Sequence, residues 1–429
     1  MFRRNKVSVL GIPLESRILR LAFITPERFV ALEDLRGVLV CFDLNGARLW
    51  ERKIKRTPFA PNKIRVAHGR IWIDCRNRIL RFDFDGNEKA PLRVALRPDE
   101  AVGWYVVGED SVAVSLYRDL DQPREYPDDE EGESEPPLDL SGRVVRLNLD
   151  GTVRWSCNLP IEKLVYEGIG YVSAKTQGRQ PDPPWRPSSW KCDGYVNDGL
   201  LLSGDVLLAS FIEISSGIGF SYAVRWSDGV LLWTTEMLPF SRRAICGEGE
   251  FAFSVGGYGE SRTFVVNARG EILREWKGNG ALCVGEEGDL WLVENARYVG
   301  SPCAVWQLKA KGEAHRCATI VPGSGSTVAL NSDGVIFWRD GQLRRIDFNG
   351  RTTVLNPDVG SPKSSVLSGM LLNEEGTLVF STAGSGAPHE GNVPSMLWIA
   401  QEKVAPLLET AWPCGEGNPQ GNPVWREKR

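Results

Sequence analysis

The chain has 429 residues, 42% of them hydrophobic and 25% charged, with a formal net charge of −4 and a pI of about 5.7. This is the composition of a globular protein with a large core, and it argues against the strongly basic face that a general nucleic-acid or anionic-membrane binder needs. No stretch approaches the roughly 18–20 apolar residues of a membrane-spanning helix.

The chain opens with MFRRNKVSVLGIPLESR, whose apolar run is broken by Ser8, Gly11 and Pro13 and followed by Glu15. It shows no small-residue cleavage site and reads as a β-strand, not a signal peptide. Four strand-like runs follow: ILRLAFI, RFVALED, GVLVCFD and, after the turn Asp43-Leu-Asn-Gly46, ARLWERKI. Asn-Gly and Asp-Gly supply the positive φ that a tight hairpin requires.

The same turn returns along the chain as Asp83-Phe-Asp-Gly86, Asn148-Leu-Asp-Gly151, Trp226-Ser-Asp-Gly229, Asn267-Ala-Arg-Gly270, Lys309-Ala-Lys-Gly312 and Asp347-Phe-Asn-Gly350. Successive glycines lie 40, 65, 78, 41, 42 and 38 residues apart, and a weaker eighth unit spans 396–409. Helix-period stripes are nearly absent. A four-stranded unit repeated about every 40 residues is the signature of a β-propeller blade. The expected fold is therefore all-β, a propeller of four-stranded antiparallel blades, eight in number or seven if one unit is irregular. The N-terminal strand closes the ring and removes an open sheet edge. Residues 1–409 form one domain with insertions near 118–141 and 160–198; residues 410–429 form an irregular tail, in which Trp412 and Trp425 are the candidates for docking. Trp50, Trp155 and Trp233 lie four residues past a turn glycine, and Trp276 lies six past, where an outer-strand indole packs between blades.

The pattern of an Asp/Asn-x-Asx-Gly turn with a tryptophan shortly after it, as in DLNGARLW and NLDGTVRW, resembles the repeat of the PQQ-like, or quinoprotein-type, propellers. That family includes quinone-dependent dehydrogenases, outer-membrane assembly scaffolds and non-catalytic propellers. The chain departs from the enzymatic members: it carries no export signal and no vicinal cysteine pair, and no calcium-binding carboxylate and amide set is identifiable. The resemblance thus implies the non-catalytic branch, without a quinone cofactor and with no catalytic residue carried over.

Functional residues are expected on the loops that outgrow the minimal blade, because long loops on a rigid scaffold carry binding. The connection between second and third strands is short in unit 1 (DLRG) but runs over 118–141 in unit 3, where Asp128, Asp129, Glu130 and Glu131 form an acidic stretch. Its Pro, Glu and Ser content is that of a solvated segment, and its acid suits a partner with a basic surface. The second insertion holds Trp185 and Trp190 among prolines, and Tyr258, Arg297 and Tyr298 occupy loops of the same set. Trp, Tyr and Arg dominate binding hot spots.

Catalytic patterns are thin. His68, His315 and His389 fall in different units, and PGSGST at 322–327 lacks the lysine of a phosphate loop. The nine cysteines include no CxxC pair, and several sit in strand runs as small hydrophobes, which favours a reducing, cytoplasmic compartment. The resulting expectation is a cytoplasmic, non-enzymatic propeller that binds protein partners through its long-loop face. It takes no cofactor or metal and engages neither nucleic acid nor membrane. It is similar in kind to the stand-alone bacterial propellers that accompany MoxR ATPases and von Willebrand A-domain proteins. The rival expectations are a propeller enzyme using the central channel, either quinone-dependent or a metal-assisted hydrolase, and a glycan-binding module using Trp185 or Trp190.

Overall fold

The computed structural model describes residues 6–33, 37–54, 63–75, 77–97, 100–118, 142–160, 195–213, 219–237, 242–257, 260–295, 303–321, 327–360, 364–384, 395–414 and 417–425. Eight antiparallel sheets form a ring, so the fold is an all-β, eight-bladed propeller. Blade 1 consists of Ile18–Thr25, Arg28–Glu33, Val38–Asp43 and Arg48–Lys53, in that spatial order from the axis outward. Blades 2 to 7 repeat this order, with first strands at Ile64–Ala67, Glu100–Val107, Tyr195–Ser203, Arg242–Gly247, Gly280–Val284 and Val328–Asn331. Blade 8 is built from Ser364–Leu372, Leu378–Gly384 and Ser395–Ala400, and its outer strand is Val9–Leu14 from the N-terminus. Val9 pairs with Ala400 and Leu14 with Ser395, so the two ends of the repeat are joined in one sheet.

Burial explains why the strands differ in sequence. The first three strands of each blade are covered on both faces by neighbouring blades, and a run such as Val38–Phe42 is buried at every residue. A doubly covered strand reads as a continuous hydrophobic run. The outer strand is half-solvated and alternates, as Arg48–Lys53 does. The core is accordingly divided into slabs between blades. One slab joins Val30, Leu39 and Cys41 of blade 1 to Ile71, Ile73 and Phe82 of blade 2.

The recurring turn fastens blade to blade. The Trp50 indole donates to Phe84 O at 3.0 Å, Trp155 to Trp226 O at 2.8 Å, Trp233 to Ala268 O at 2.9 Å and Trp276 to Gly312 O at 3.0 Å. Each acceptor lies in the outer turn of the next blade. In three of these four turns the glycine also lies against the ring. A Cβ on Gly86 would stand 2.8 Å from Trp50, one on Gly229 2.7 Å from Trp155 and one on Gly270 2.8 Å from Trp233. These glycines have φ near +80°, so conformation and space both require glycine there. Blade 2 has no such tryptophan, and Arg81 Nη1 reaches Leu149 O of blade 3 instead, at 2.9 Å.

The structure corrects the alignment of the fourth turn. In blade 1, Asp43 N bonds Ala47 O, Gly46 N bonds Asp43 O, and the Asp43 carboxylate caps Asn45 N and Ala47 N. In blade 4 the equivalent bonds run from Arg225 N to Val230 O and from Gly229 N to Arg225 O. The turn is one residue longer, and Trp226 occupies the place of Leu44, not that of Asp43. Its capping passes to Asp205, which accepts from Ser227 N at 2.8 Å, and to Asp228, which accepts from Val230 N at 3.1 Å.

Candidate functional site

The antiparallel order gives the ring two unlike ends. Turns between first and second strands, and between third and fourth, lie at one end. Connections between second and third strands, and from blade to blade, lie at the other. The chain leaves the described blades for the expected insertions after Arg118 and after Leu159, both at this second, loop end, and it returns in the strands that begin at Gly142 and Tyr195. Asp128, Asp129, Glu130, Glu131, Trp185, Trp190, Tyr258, Arg297 and Tyr298 all lie outside the described residues. The strand ends that flank them are described. A bidentate pair sits at the base of the acidic insertion: Arg143 holds Glu100 through Nε and Nη2, both at 2.6 Å, and reaches Ala95 O at 2.7 Å. The Glu100 carboxylate is almost fully buried.

The turn end is closed by the chain itself. After blade 8 the backbone passes the first strands of blades 8, 7 and 6, then those of blades 1, 2, 3 and 4. Pro406 O accepts from Ser332 N, Pro413 O from Leu330 N, Pro419 O from Phe23 N and Pro423 O from Leu202 N, at 2.7–3.1 Å. Trp412 O accepts from Val284 N and Gln420 O from Val66 N. The inner edge of each blade presents N–H groups that need acceptors. A proline offers its carbonyl without adding a donor of its own. Asn422 does the same work with its side chain, bonding both N–H and C=O of Val107. The Arg65 guanidinium, buried between blades 2 and 3, donates to Gly421 O. Val424–Trp425 then pairs in parallel with Leu202 and Ser203 of blade 4. Trp412 and Trp425 pack on the cluster that holds Ala244, Ile245 and Cys246 of blade 5, so the segment touches every blade.

Between this segment and the turns of blades 2 to 4 lies a cleft of about 1700 Å³. In its wall the Arg146 guanidinium stacks on Trp226 at 4.0 Å, donates to Trp226 O at 2.6 Å and to Ser111 Oγ at 2.8 Å, and pairs with Asp110 at 3.1 Å. Arg154 holds the other oxygen of Asp110 at 2.5 Å. Burial opposes ionisation of Asp110, but the Ser111 hydroxyl and the Arg154 and Arg146 guanidiniums outweigh it and hold the carboxyl down to about 2. His68 Nε2 lies 2.8 Å from Gly108 O; a carbonyl only accepts, so that nitrogen carries the proton. His315 is on the exposed outer strand of blade 6, far around the ring, and His389 is outside the described residues. Among the described residues no three His, Cys, Asp or Glu side chains gather into a group able to hold a metal.

Sequence reasoning flagged Trp425 but missed Glu109, Asp110, Arg146 and Gln420 as neighbours, since seven separated segments contribute to the cleft. The eight described cysteines are all free thiols, seven of them buried. Burial pushes Cys41 up to about 11 and Cys246 up to about 12. No described helix is long and apolar enough to cross a membrane.

No protein-family model matches the chain, and no curated protein does. Among solved structures it is similar to a quinohemoprotein alcohol dehydrogenase from Comamonas testosteroni, with a TM-score of 0.52 and 10% identity over 94% of this chain and 77% of that one. It is also similar to a virginiamycin B lyase from Staphylococcus aureus (TM-score 0.45, 12% identity, 92% of this chain and 100% of that one). The WD40 domain of Neurospora crassa Pan2 matches with a TM-score of 0.41 and 9% identity over 81% of this chain and 91% of that one. At such identities the likeness is one of fold, and the first of these supports the β-propeller.

Proposed function

We propose that the protein is a non-catalytic scaffold that binds protein partners through the loop end of the ring. The observation that carries this reading is the asymmetry of the two ends. The chain's own C-terminal segment closes the turn end, while the long insertions all spring from the opposite end. In this reading Asp128, Asp129, Glu130 and Glu131 meet a basic surface on the partner, and Trp185, Trp190, Tyr258, Arg297 and Tyr298 supply the contact area. The buried free thiols suit a reducing compartment, the cytoplasm. The resemblance to stand-alone propellers of MoxR and von Willebrand A-domain systems makes a bacterial multiprotein assembly the natural setting.

The test is affinity capture from lysate of the native host. Intact protein is set beside a variant lacking 120–139 and carrying Trp185→Ala and Trp190→Ala. A partner held by the intact protein and lost by the variant supports the reading. A partner held equally by both refutes the loop end as the contact face. Bound metal or a visible cofactor absorbance in the pure protein would favour a propeller enzyme.

A further inference from the structure

The cleft at the turn end has a chemistry of its own, separate from the loop end. Its single guanidinium, Arg146, is buried and fully engaged by Ser111, Asp110 and Trp226. The groups left for a ligand are different. Glu109 is exposed and makes no ion pair among the described residues, whereas the Asp110 carboxylate beside it is taken up by Arg146 and Arg154. His68, whose Nε2 donates to Gly108 O, is exposed at the same wall. The half-buried indole of Trp425 and the Gln420 amide complete the wall. The rim adds acid from the neighbouring blades. Asp205 is exposed at the blade 4 turn, and Glu248 of blade 5 leans over Gly204, its Cγ 2.9 Å from where a Cβ would stand. Among the described residues, Glu109, Asp205 and Glu248 are therefore the carboxylates here that no guanidinium holds, and the Trp425 indole suits a cation stacked against it.

Size selects the kind of cation. A pocket for one small molecule measures roughly 300–1,000 Å³, and this cleft is about 1700 Å³. It has volume for several residues of a peptide chain. We infer that the cleft is a docking site for a basic peptide segment, with arginine or lysine side chains set against Glu109 and the rim acids and against Trp425.

Fluorescence anisotropy of a labelled hexa-arginine peptide with the full-length protein at low salt tests this. A neutral peptide of equal length and free spermine serve as comparisons. The expected result is saturable binding of hexa-arginine that weakens with salt. Glu109→Gln combined with Glu248→Gln should lower affinity roughly tenfold, and Trp425→Leu should lower it several-fold. Glu374→Gln with Glu375→Gln, on the blade 8 turn of the same end, should change it by less than about twofold. Unchanged thermal melting of each variant separates loss of binding from loss of fold. Equal losses from the blade 8 variant, or binding of the neutral peptide, would show diffuse attraction to an acidic face and overturn the proposal. Spermine displacing hexa-arginine at equal concentration would overturn the assignment to a peptide. None of these outcomes bears on the loop end, so this site and the scaffold reading can fail separately.

Discussion

The two ends of the ring are built from the same strands and solve opposite problems. At the turn end, tight hairpins recur blade after blade, and Gly86, Gly229 and Gly270 are pressed on tryptophans of the preceding blade. The C-terminal segment supplies acceptors to the inner edges there. At the loop end the connection between second and third strands grows from the gap between Glu33 and Val38 in blade 1 to that between Arg118 and Gly142 in blade 3. Length varies where no repeated contact depends on it. The difference teaches that the fold is specified at one end, which leaves the other able to carry partner-specific chemistry.

Four perturbations sharpen the contrast. The largest effect is expected from truncation after residue 403, which removes the edge hydrogen bonds and the burial of Trp412. Melting should fall by roughly 5 °C or more. Deletion of 120–139 at the other end should move it by less than about 2 °C, since loop length costs little. Next comes Glu100→Gln, which leaves Arg143 without its carboxylate in a nearly buried site. Urea denaturation should report a loss of about 3 kcal/mol.

Substitution of turn glycines separates space from conformation. Gly229→Val meets Trp155 and carries φ +79°, and it should cost roughly 2–3 kcal/mol. Gly312→Val carries φ +94° in open space and should cost only about 1 kcal/mol. Equal losses at both sites would show that the indole contact contributes nothing.

The smallest effect concerns Asp110. Its folded carboxyl lies at about 2, below the roughly 3.9 of an unfolded chain. Its contribution is therefore present above pH 4 and is lost as the pH falls from about 4 through 2. Asp110→Asn should flatten the stability profile in that window and leave its shape near neutrality alone. An unaltered acid limb would show that the pairs with Arg146 and Arg154 are lost to solvent screening.

The strands and the blade count were legible because blades 1 to 7 repeat one local rule: buried runs inside, alternation outside, and a turn closed by glycine between. The blade 4 turn was misaligned by one residue because its register is set by the bond from Arg225 N to Val230 O, which no residue type announces. The path of the C-terminal segment was not legible for a related reason. Its Pro, Gly and Asn content reads as irregular, and only the inner edges it meets show why carbonyls without N–H groups are wanted there. Trp425 stood out by type, whereas Asp110 and Arg146 became a site only when blades 3 and 4 were brought together. The candidates chosen for the loop end, from Asp128 to Tyr298, lie outside the described residues.

Native-state hydrogen exchange on the intact protein tests the central claim, that the C-terminal segment seals the turn end. The amides of Phe23, Val66, Leu202, Val284 and Leu330 each donate to that segment. They should exchange as slowly as amides within the sheets, such as that of Val40 in the third strand of blade 1. Exchange of these five at the rate of surface turns would contradict the account and leave the turn end unsealed.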